Sequence, residues 1–473
     1  MPIRRRVAVA LFAAGTVISV MAPPRAASAD GALRSFTIAA AGDIIPHGML
    51  VAHAAAPGGG WDFTDMQAAI RPWVADADLA ICHFEGTMSA DDTGLSGYPR
   101  FIGPREMADA IAFAGWDGCS TASNHAMDGG WDGVVETLDV FDGLGLGHAG
   151  TARSPDERLP TFYSVNGAVV AHISYTYGTN GIPLPEGRPW AVNVIDTAAI
   201  LGDAAWARDQ GADFVLVSLH WGEQYQVSPT SLQTQVAAAV LASPDVDMII
   251  GHHAHVVQPI DVVNGKYVVY GMGNHLSNQF TRWGPPYFAT DDGLLVRIRV
   301  SERADGSFRV DGLDLTPTWV DYPSYRVHSA ADALLTGAGP ESVVAASLER
   351  TLDRALALDP PGVGVTESPW PGAWCGSVRA TIIGSAGADR ITGTGGDDVI
   401  AAGAGDDLVF AGPGNDVVCG GAGSDVLDGG SGRNRLFGDE GDDLISGHWL
   451  DVLVGGDGWD VCSGTAFLRD CDR

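Results

Sequence analysis

Residues 249–260 read IIGHHAHVVQPI, an apolar run that gives way abruptly to His252, His253 and His255. A buried strand that hands over to ligand-type side chains at its end is how a layered α/β fold presents a site. The same arrangement recurs upstream. Apolar runs over 35–41, 79–84, 118–122, 169–174, 214–219 and 267–270 read as further strands, and 131–142 and 233–241 read as helices. Polar motifs follow the strand ends: Ala41-Gly42-Asp43 with His47, His83-Phe84-Glu85-Gly86, Ser123-Asn124-His125-Ala126-Met127-Asp128, and Leu219-His220-Trp221-Gly222. A single histidine at a strand end is more often structural than ligating. The series Asp, Glu, Asn-His, His, His-x-His within one stretch points instead to a metal site.

That series, carried by AAAGDIIPHG (39–48), HFEGTMS (83–89), AGWDGCSTASNHAMDGG (114–130), SLHWGEQY (218–225), IIGHHAHVVQPI and YGMGNHLSNQ (270–279), resembles the CapA family of the calcineurin-like binuclear metallophosphoesterases, over about residues 36 to 300. The resemblance implies a four-layer α/β (α+β) sandwich and an association with poly-γ-glutamate capsule synthesis. It implies two divalent metals, Mn, Fe or Zn. Asp43 and His255 would be ligands of the first, Asn124, His220 and His253 of the second, and Glu85 would stand at the bridging place. His125 would be the catalytic histidine that stabilises or protonates the leaving oxygen. The chain departs from the superfamily at the first motif, where Asp-x-His becomes Asp43-Ile44-Ile45; His47 is the candidate replacement. His252 reads as a spacer and His275 as support; Asp128 reads either as orienting His125 or, the favoured of the two, as capping the next helix. Tyr175, Tyr177, Glu223 and Tyr225 are open between pocket lining and ordinary packing.

From Gly384 the sequence repeats about every nine residues, beginning GSAGADRIT, GTGGDDVIA, AGAGDDLVF. The sixth position carries Asp389, Asp398, Asp407, Asp416, Asp425, Asn434, Asp443 and, after a shortened unit GHWLDVLV, Asp460; the eighth is apolar from Ile391 to Ile445. This matches the RTX-type nonapeptide of a parallel β-roll. Glycine-rich halves turn and the apolar halves are short strands, so stacked carboxylates and carbonyls suit Ca²⁺. Asp389, Asp398, Asp407, Asp416, Asp425, Asp443 and Asp460 are the expected calcium ligands. The basic stretch Arg433-Asn434-Arg435 marks a turn expected to bind none.

Overall the chain has 27 Lys+Arg against 58 Asp+Glu, a formal charge of −31, and Lys266 is its sole lysine. Such an acidic chain is a poor partner for nucleic acid or an anionic membrane surface. With 46% hydrophobic and 18% charged residues it is a folded protein rather than a disordered acidic one. Arg4-Arg5-Arg6, an apolar stretch and Ala27-Ser28-Ala29 read as a signal peptide over 1–29, so a secreted, extracellular or cell-surface protein is expected, with no stable membrane span after cleavage. In that compartment Cys462 is expected to pair with Cys471 and Cys375 with Cys419; Cys82 and Cys119 either pair or are buried thiols. The expected organisation is a CapA-like domain over 34–325, a helical segment and Pro/Gly linker over 326–375, and the roll over 376–473. Two functions fit: a metal-dependent hydrolase of a phosphoester or anionic polymer, and a non-catalytic surface-polymer assembly or binding protein on the same fold.

Overall fold

Every residue of the strand Phe214–His220 is buried, and it lies between parallel neighbours Ala168–Thr176 and Met248–His252. Strands covered on both faces read as continuous apolar runs, which is how this one reads. In a computed structural model, described over residues 33–279, 289–365, 374–375, 378–385, 387–448, 450–464, 467–469 and 471–472, the chain forms two units, Met1–Thr366 and Glu367–Arg473. The signal peptide expected over 1–29 lies outside the described residues, as do residues 366–373 of the expected linker. Among the described residues no helix is long and apolar enough to cross a membrane.

The first unit is a four-layer α/β sandwich. One sheet runs Val327–Ser329, Phe308–Val320, Asp292–Glu302, Ser35–Ile44, Leu79–Phe84, Gly118–Ser120, Gly147–Ala149, with Asn274–Leu276 added beside Ser35–Ile44. The other runs Ile260–Val263, Lys266–Val269, Met248–His252, Phe214–His220, Ala168–Thr176, Thr161–Val165. Side chains alternate across each strand. Ile38, Ala40 and Ile81 of the first sheet therefore meet Phe214, Leu216, Met248 and Ile250 of the second in the central core. Ala39, Ala41 and Cys82 face outward, under helices that include Glu106–Ala114 and Gly130–Leu144. Val215, Val217 and Ile249 face the helices Thr197–Asp209 and Ser231–Val240 on the far side. The second of these begins at a capping box, with Thr230 and Gln233 exchanging side-chain and backbone bonds, which fixes the start of a helix read correctly from sequence.

The stretch read as a separate helical segment joins this unit. Helices Ala330–Thr336 and Glu341–Ala355 pack through Ala330, Ala333 and Val344 on Trp319, Arg350 pairs with Asp292, and Val363–Val365 adds a parallel strand to Phe308–Val320. The sequence reading kept these helices apart from the domain before them, because amphipathic helices leave no sign of which neighbour covers them; the unit ends at Thr366, within the expected Pro/Gly linker.

The second unit is a roll of parallel strands in two sheets. Val399–Ala404, Val417–Ala422, Arg435–Glu440 and Val452–Asp457 stack in one, and Arg390–Thr392, Leu408–Phe410, Val426–Asp428, Leu444–Ser446 and Val461–Ser463 in the other. Partners are 18 residues apart, two nonapeptides per coil, as in Val417 with Val399. The eighth-position side chains Ile400, Val409, Val418, Leu427, Leu436 and Ile445 fill the interior. At the shortened unit the register drops by one, Arg435 facing Val452, and the coil continues. Cys375–Cys419 and Cys462–Cys471 are disulfides; Cys82 and Cys119, opposite one another on parallel strands, form a third.

Candidate metal centre

The parallel strands of both sheets end on one side, and each end delivers a ligand-type residue. Asp43 is in register with His83 on one neighbour and Asn274 on the other. A Cβ at Gly42 would lie 2.1 Å from the Gly273 carbonyl oxygen, so only glycine permits this approach. In the facing sheet His220 and His252 are in register. The chain then turns through His253 at φ 88° and His255 at φ 55°. Left-handed conformations are costly for histidine and persist only where the surroundings fix them, which motivates a functional role.

All seven residues expected from sequence, Asp43, Glu85, Asn124, His125, His220, His253 and His255, are buried and converge here. His255 Nδ1 lies 3.3 Å from Asp43 Oδ2 and 3.8 Å from Glu85 Oε2. His220 Nε2 is 3.8 Å from Glu85 Oε1 and hydrogen-bonds Asn124 Oδ1 at 2.8 Å. The His253 amide donates to Asp43 Oδ2 at 3.1 Å. Two close donor sets result, Asp43–His83–Glu85–His220 and Glu85–His253–His255, and Glu85 belongs to both. Asp43 Oδ1, both Glu85 oxygens and His253 Nδ1 are buried without hydrogen-bond partners among the described residues. Unsatisfied buried carboxylate oxygens are expensive unless a cation completes them. Carboxylate, amide and imidazole together are compatible with divalent metal.

Electrostatics separates the histidines. Burial, aided by neighbouring imidazoles, holds His83 and His220 well below the usual histidine range and brings His253 to about 3, so these rings are neutral, as ligands must be. Burial also acts on His255, but Glu85 and Asp43 outweigh it and raise that ring to about 9. Burial pushes Glu85 well up. It pushes Asp43 the same way, yet His252, His255 and His83 win and hold Asp43 well down.

Three residues differ from their sequence reading. His252, taken as a spacer, puts Nδ1 3.3 Å from Asp43 Oδ1 and stacks on His83 at 4.0 Å. Asp128, open between orienting His125 and the favoured helix cap, does the former: it binds His125 Nδ1 at 2.6 Å and accepts from the Phe101 amide, and the helix Gly130–Leu144 has no side-chain cap. His47 joins neither donor set: its Nδ1 accepts the Asn278 amide at 3.3 Å and its ring packs against Phe101. His275 is bound to Gln67 at 2.9 Å beside Trp116, within the helical layer. Of the aromatics, Tyr177 lies 4.6 Å from His253 and Tyr225 5.9 Å from His255, whereas Tyr175 turns away to Asp203.

Sequence reading missed His83 as a participant. Its Nε2 meets His220 Nδ1 at 2.9 Å and its Nδ1 meets Ser120 Oγ at 2.7 Å. The chain of bonds can run either way. With His220 Nε2 free to ligate, His220 Nδ1–H donates to His83, His83 Nδ1–H to Ser120, and the hydroxyl to Cys82 O at 3.4 Å. The available signal was strand alternation: His83 is two residues before Glu85 and shares its face. A third group, Asp142–His148–Glu157, already holds a cation, because Arg153 bonds Asp142 and Glu157.

In the second unit the position-six carboxylates from Asp398 onward are also buried, Asp389 being half-buried, and Asp451 joins them; the shortened unit hid it from the period. Burial pushes Asp425 up to about 7 and Asp443 to about 6, and neighbouring aspartates add to it.

The chain is similar to the PGA biosynthesis protein CapA of Bacillus subtilis (strain 168), 32% identical over 200 residues, 41% of this chain and 50% of that protein. It is similar to the capsule biosynthesis protein CapA of Bacillus anthracis, 26% identical over 258 residues, 52% of this chain and 60% of that one. The chain thus spans about half the length of the curated relatives it matches. Among solved structures, the calcineurin-like phosphoesterase YfkN from Bacillus subtilis superposes remotely, with a TM-score of 0.37 and 13% identity over 69% of this chain and 99% of that one. Residues 383–418, 420–449 and 451–467 match the RTX calcium-binding nonapeptide repeat. Residues 37–279, just over half of the chain, match the family described as bacterial capsule synthesis protein PGA_cap, and the chain belongs to that family.

Proposed function

We propose that the chain is a secreted, metal-dependent hydrolase of the phosphoester type, acting on a capsule-type anionic surface polymer or a related phosphoester, with a C-terminal unit stabilised by calcium. The observation that carries the reading is Glu85: two buried oxygens without hydrogen-bond partners among the described residues, shared by two donor sets. Two divalent ions of the Mn, Fe or Zn type, held by Asp43, Glu85, Asn124, His220, His253 and His255, would supply Lewis acidity and an acidified water. The chain's own groups do the rest. Asp128 anchors His125 through Nδ1, leaving Nε2 4.0 Å from Glu85 Oε1, placed to hold or deliver a proton at a leaving oxygen. The neutral rings of His220 and His253 offer lone pairs rather than charge. Tyr177, 39% exposed, forms a wall beside them on which substrate can rest. The names of the relatives support a capsule-type polymer as substrate, and the repeats support an extracellular or surface setting.

Purified protein supplied with Mn²⁺ should hydrolyse a chromogenic phosphodiester, and the His220→Ala/His253→Ala double variant should lose at least about 10²-fold of that rate. A wild-type rate no higher than the double variant's overturns the enzyme reading. It would favour the second reading, surface-polymer assembly without hydrolysis, to which one observation already speaks: Ile45 stands where the superfamily resemblance expects a histidine, and His47 is committed to Asn278.

A further inference from the structure

The position-six residues of the roll form two columns, one at each edge. Asp389, Asp407, Asp425, Asp443 and Asp460 precede the five-stranded sheet; Asp398, Asp416, Asn434 and Asp451 precede the six-stranded one. In both columns one side-chain oxygen accepts the main-chain amide of the residue one coil back, for example Asp407 to Asp425 at 2.7 Å and Asp416 to Asn434 at 2.9 Å. This bond is structural and does not need a charge, since Asn434 makes it.

From Asp407 onward the second oxygen distinguishes the edges; at the first coil Asp389 Oδ2 accepts Ser385 N at 2.5 Å. On the Asp398 edge, Asp398 Oδ2 accepts Thr394 N at 2.5 Å and Thr394 Oγ1 at 2.9 Å. Asp451 Oδ2 accepts His448 N at 2.6 Å, and Asn434 brings an amide in place of an anion. Among the described residues only Asp416 Oδ2 is left without a partner there. On the other edge Asp407, Asp425, Asp443 and Asp460, each no more than 2% exposed, all keep an Oδ2 without a hydrogen-bond partner among the described residues. These oxygens sit over glycine main chain: a Cβ on Gly438 would lie 2.1 Å from Asp443 Oδ2, and one on Gly420 2.3 Å from Asp425 Oδ2. Main-chain carbonyls are therefore at hand to complete an oxygen shell. Asp406 and Asp442 add negative charge beside Asp425 and Asp443, whereas the column on the opposite edge runs Asp397, Asn415, Arg433.

We propose that the roll takes up calcium along one edge, between the successive turns of Asp407, Asp425, Asp443 and Asp460, while the Asp398–Asp451 edge is held by the protein's own hydrogen bonds. The proposal rests on the reading of the roll as a calcium-stabilised unit and adds which half of the repeats does the binding. It makes the two kinds of nonapeptide unequal, although they look alike in sequence.

The test is calcium titration calorimetry on the chelator-treated full chain, with two double variants. Asp425→Asn/Asp443→Asn should remove about two bound ions and most of the calcium-induced rise in melting temperature. Asp398→Asn/Asp416→Asn should leave both within about one ion of wild type. Asn434 indicates that an amide at this position keeps the coil together, and circular dichroism of each variant at saturating calcium checks that it does. Equal losses in the two variants, or a larger loss in the second, overturn the one-edge assignment while leaving calcium binding intact. A wild-type chain that takes up no calcium at millimolar concentration overturns the calcium reading and the assignment with it.

Discussion

The sandwich and the roll both bury carboxylate oxygens that no hydrogen bond satisfies, but they assemble them in opposite ways. In the roll, Asp425 and Asp443 come from adjacent coils, 18 residues apart, and each turn repeats the same local geometry. In the sandwich, Asp43, Glu85, His220 and His255 come from four different strand ends and meet only because two sheets stack face to face. Charge is handled differently too. Imidazoles surround the sandwich pair, with His83, His220 and His253 held neutral and His255 raised to about 9, whereas the roll aspartates face one another and glycine main chain. Under the proposed readings, one design would spread cation binding over many equivalent positions and the other would concentrate it on a single shared residue.

That residue gives the largest expected effect. Glu85→Gln removes the anion common to both donor sets, so metal affinity of the sandwich should fall by more than about 100-fold, exceeding the loss usual for an outer-shell partner. Calcium uptake by the roll should be unchanged. The check is metal content by elemental analysis after dialysis against low free Mn²⁺, alongside a calcium titration. Retention of both transition-metal ions by the variant would break the contrast, for it would mean the sandwich also distributes its binding.

How much was legible follows the same contrast. The roll is a local pattern, so the period located its strands, its buried eighth positions and most of its aspartates. Asp451 escaped because one deleted residue shifts the count, an insult the parallel register absorbs by pairing at 17 rather than 18 residues. In the sandwich the strand-end motifs identified the residues that converge. What they could not supply was partnership across the sheets. His252 looked like filler between His253 and the strand, but the register with His220 points it at Asp43. Asp128 was legible as a cap or as a support for His125, and the fold decides for His125, with the Phe101 amide on the same carboxylate oxygen.

A smaller effect sharpens the picture of His83. If its role is to orient His220 rather than to ligate, His83→Gln should cost about 10–100-fold in metal affinity, the range for outer-shell partners of ligating histidines. Glutamine can still accept from His220 Nδ1–H, so the milder end of that range is expected, with His83→Ala more severe. Competition titration with a fluorescent chelator measures it. A loss as deep as that of Glu85→Gln would place His83 among the ligands; no loss in either variant would remove it from the site.

The smallest effect concerns a buried carboxyl of the sandwich that belongs to neither donor set. Asp332 accepts Trp73 Nε1 at 2.8 Å through one oxygen, and its other oxygen has no hydrogen-bond partner among the described residues. Burial pushes it up to about 7, only partly opposed by the Trp73 bond. Its value in the unfolded chain is near 4. Between those two values the folded state holds the proton and the unfolded state does not, so stability falls as pH rises from about 4 to about 7 and is level above. Asp332→Asn keeps an acceptor for Trp73 and cannot ionise. It should flatten that slope and stabilise the sandwich at pH 8 by on the order of 2 kcal/mol, read from denaturant unfolding at pH 5 and pH 8. No gain at pH 8 over pH 5 would show that this carboxyl is satisfied in the folded state. A gain would show that a lone orphaned buried oxygen is simply a cost, in contrast to the oxygens of Glu85 and the roll aspartates, which lie grouped with other ligand-type side chains.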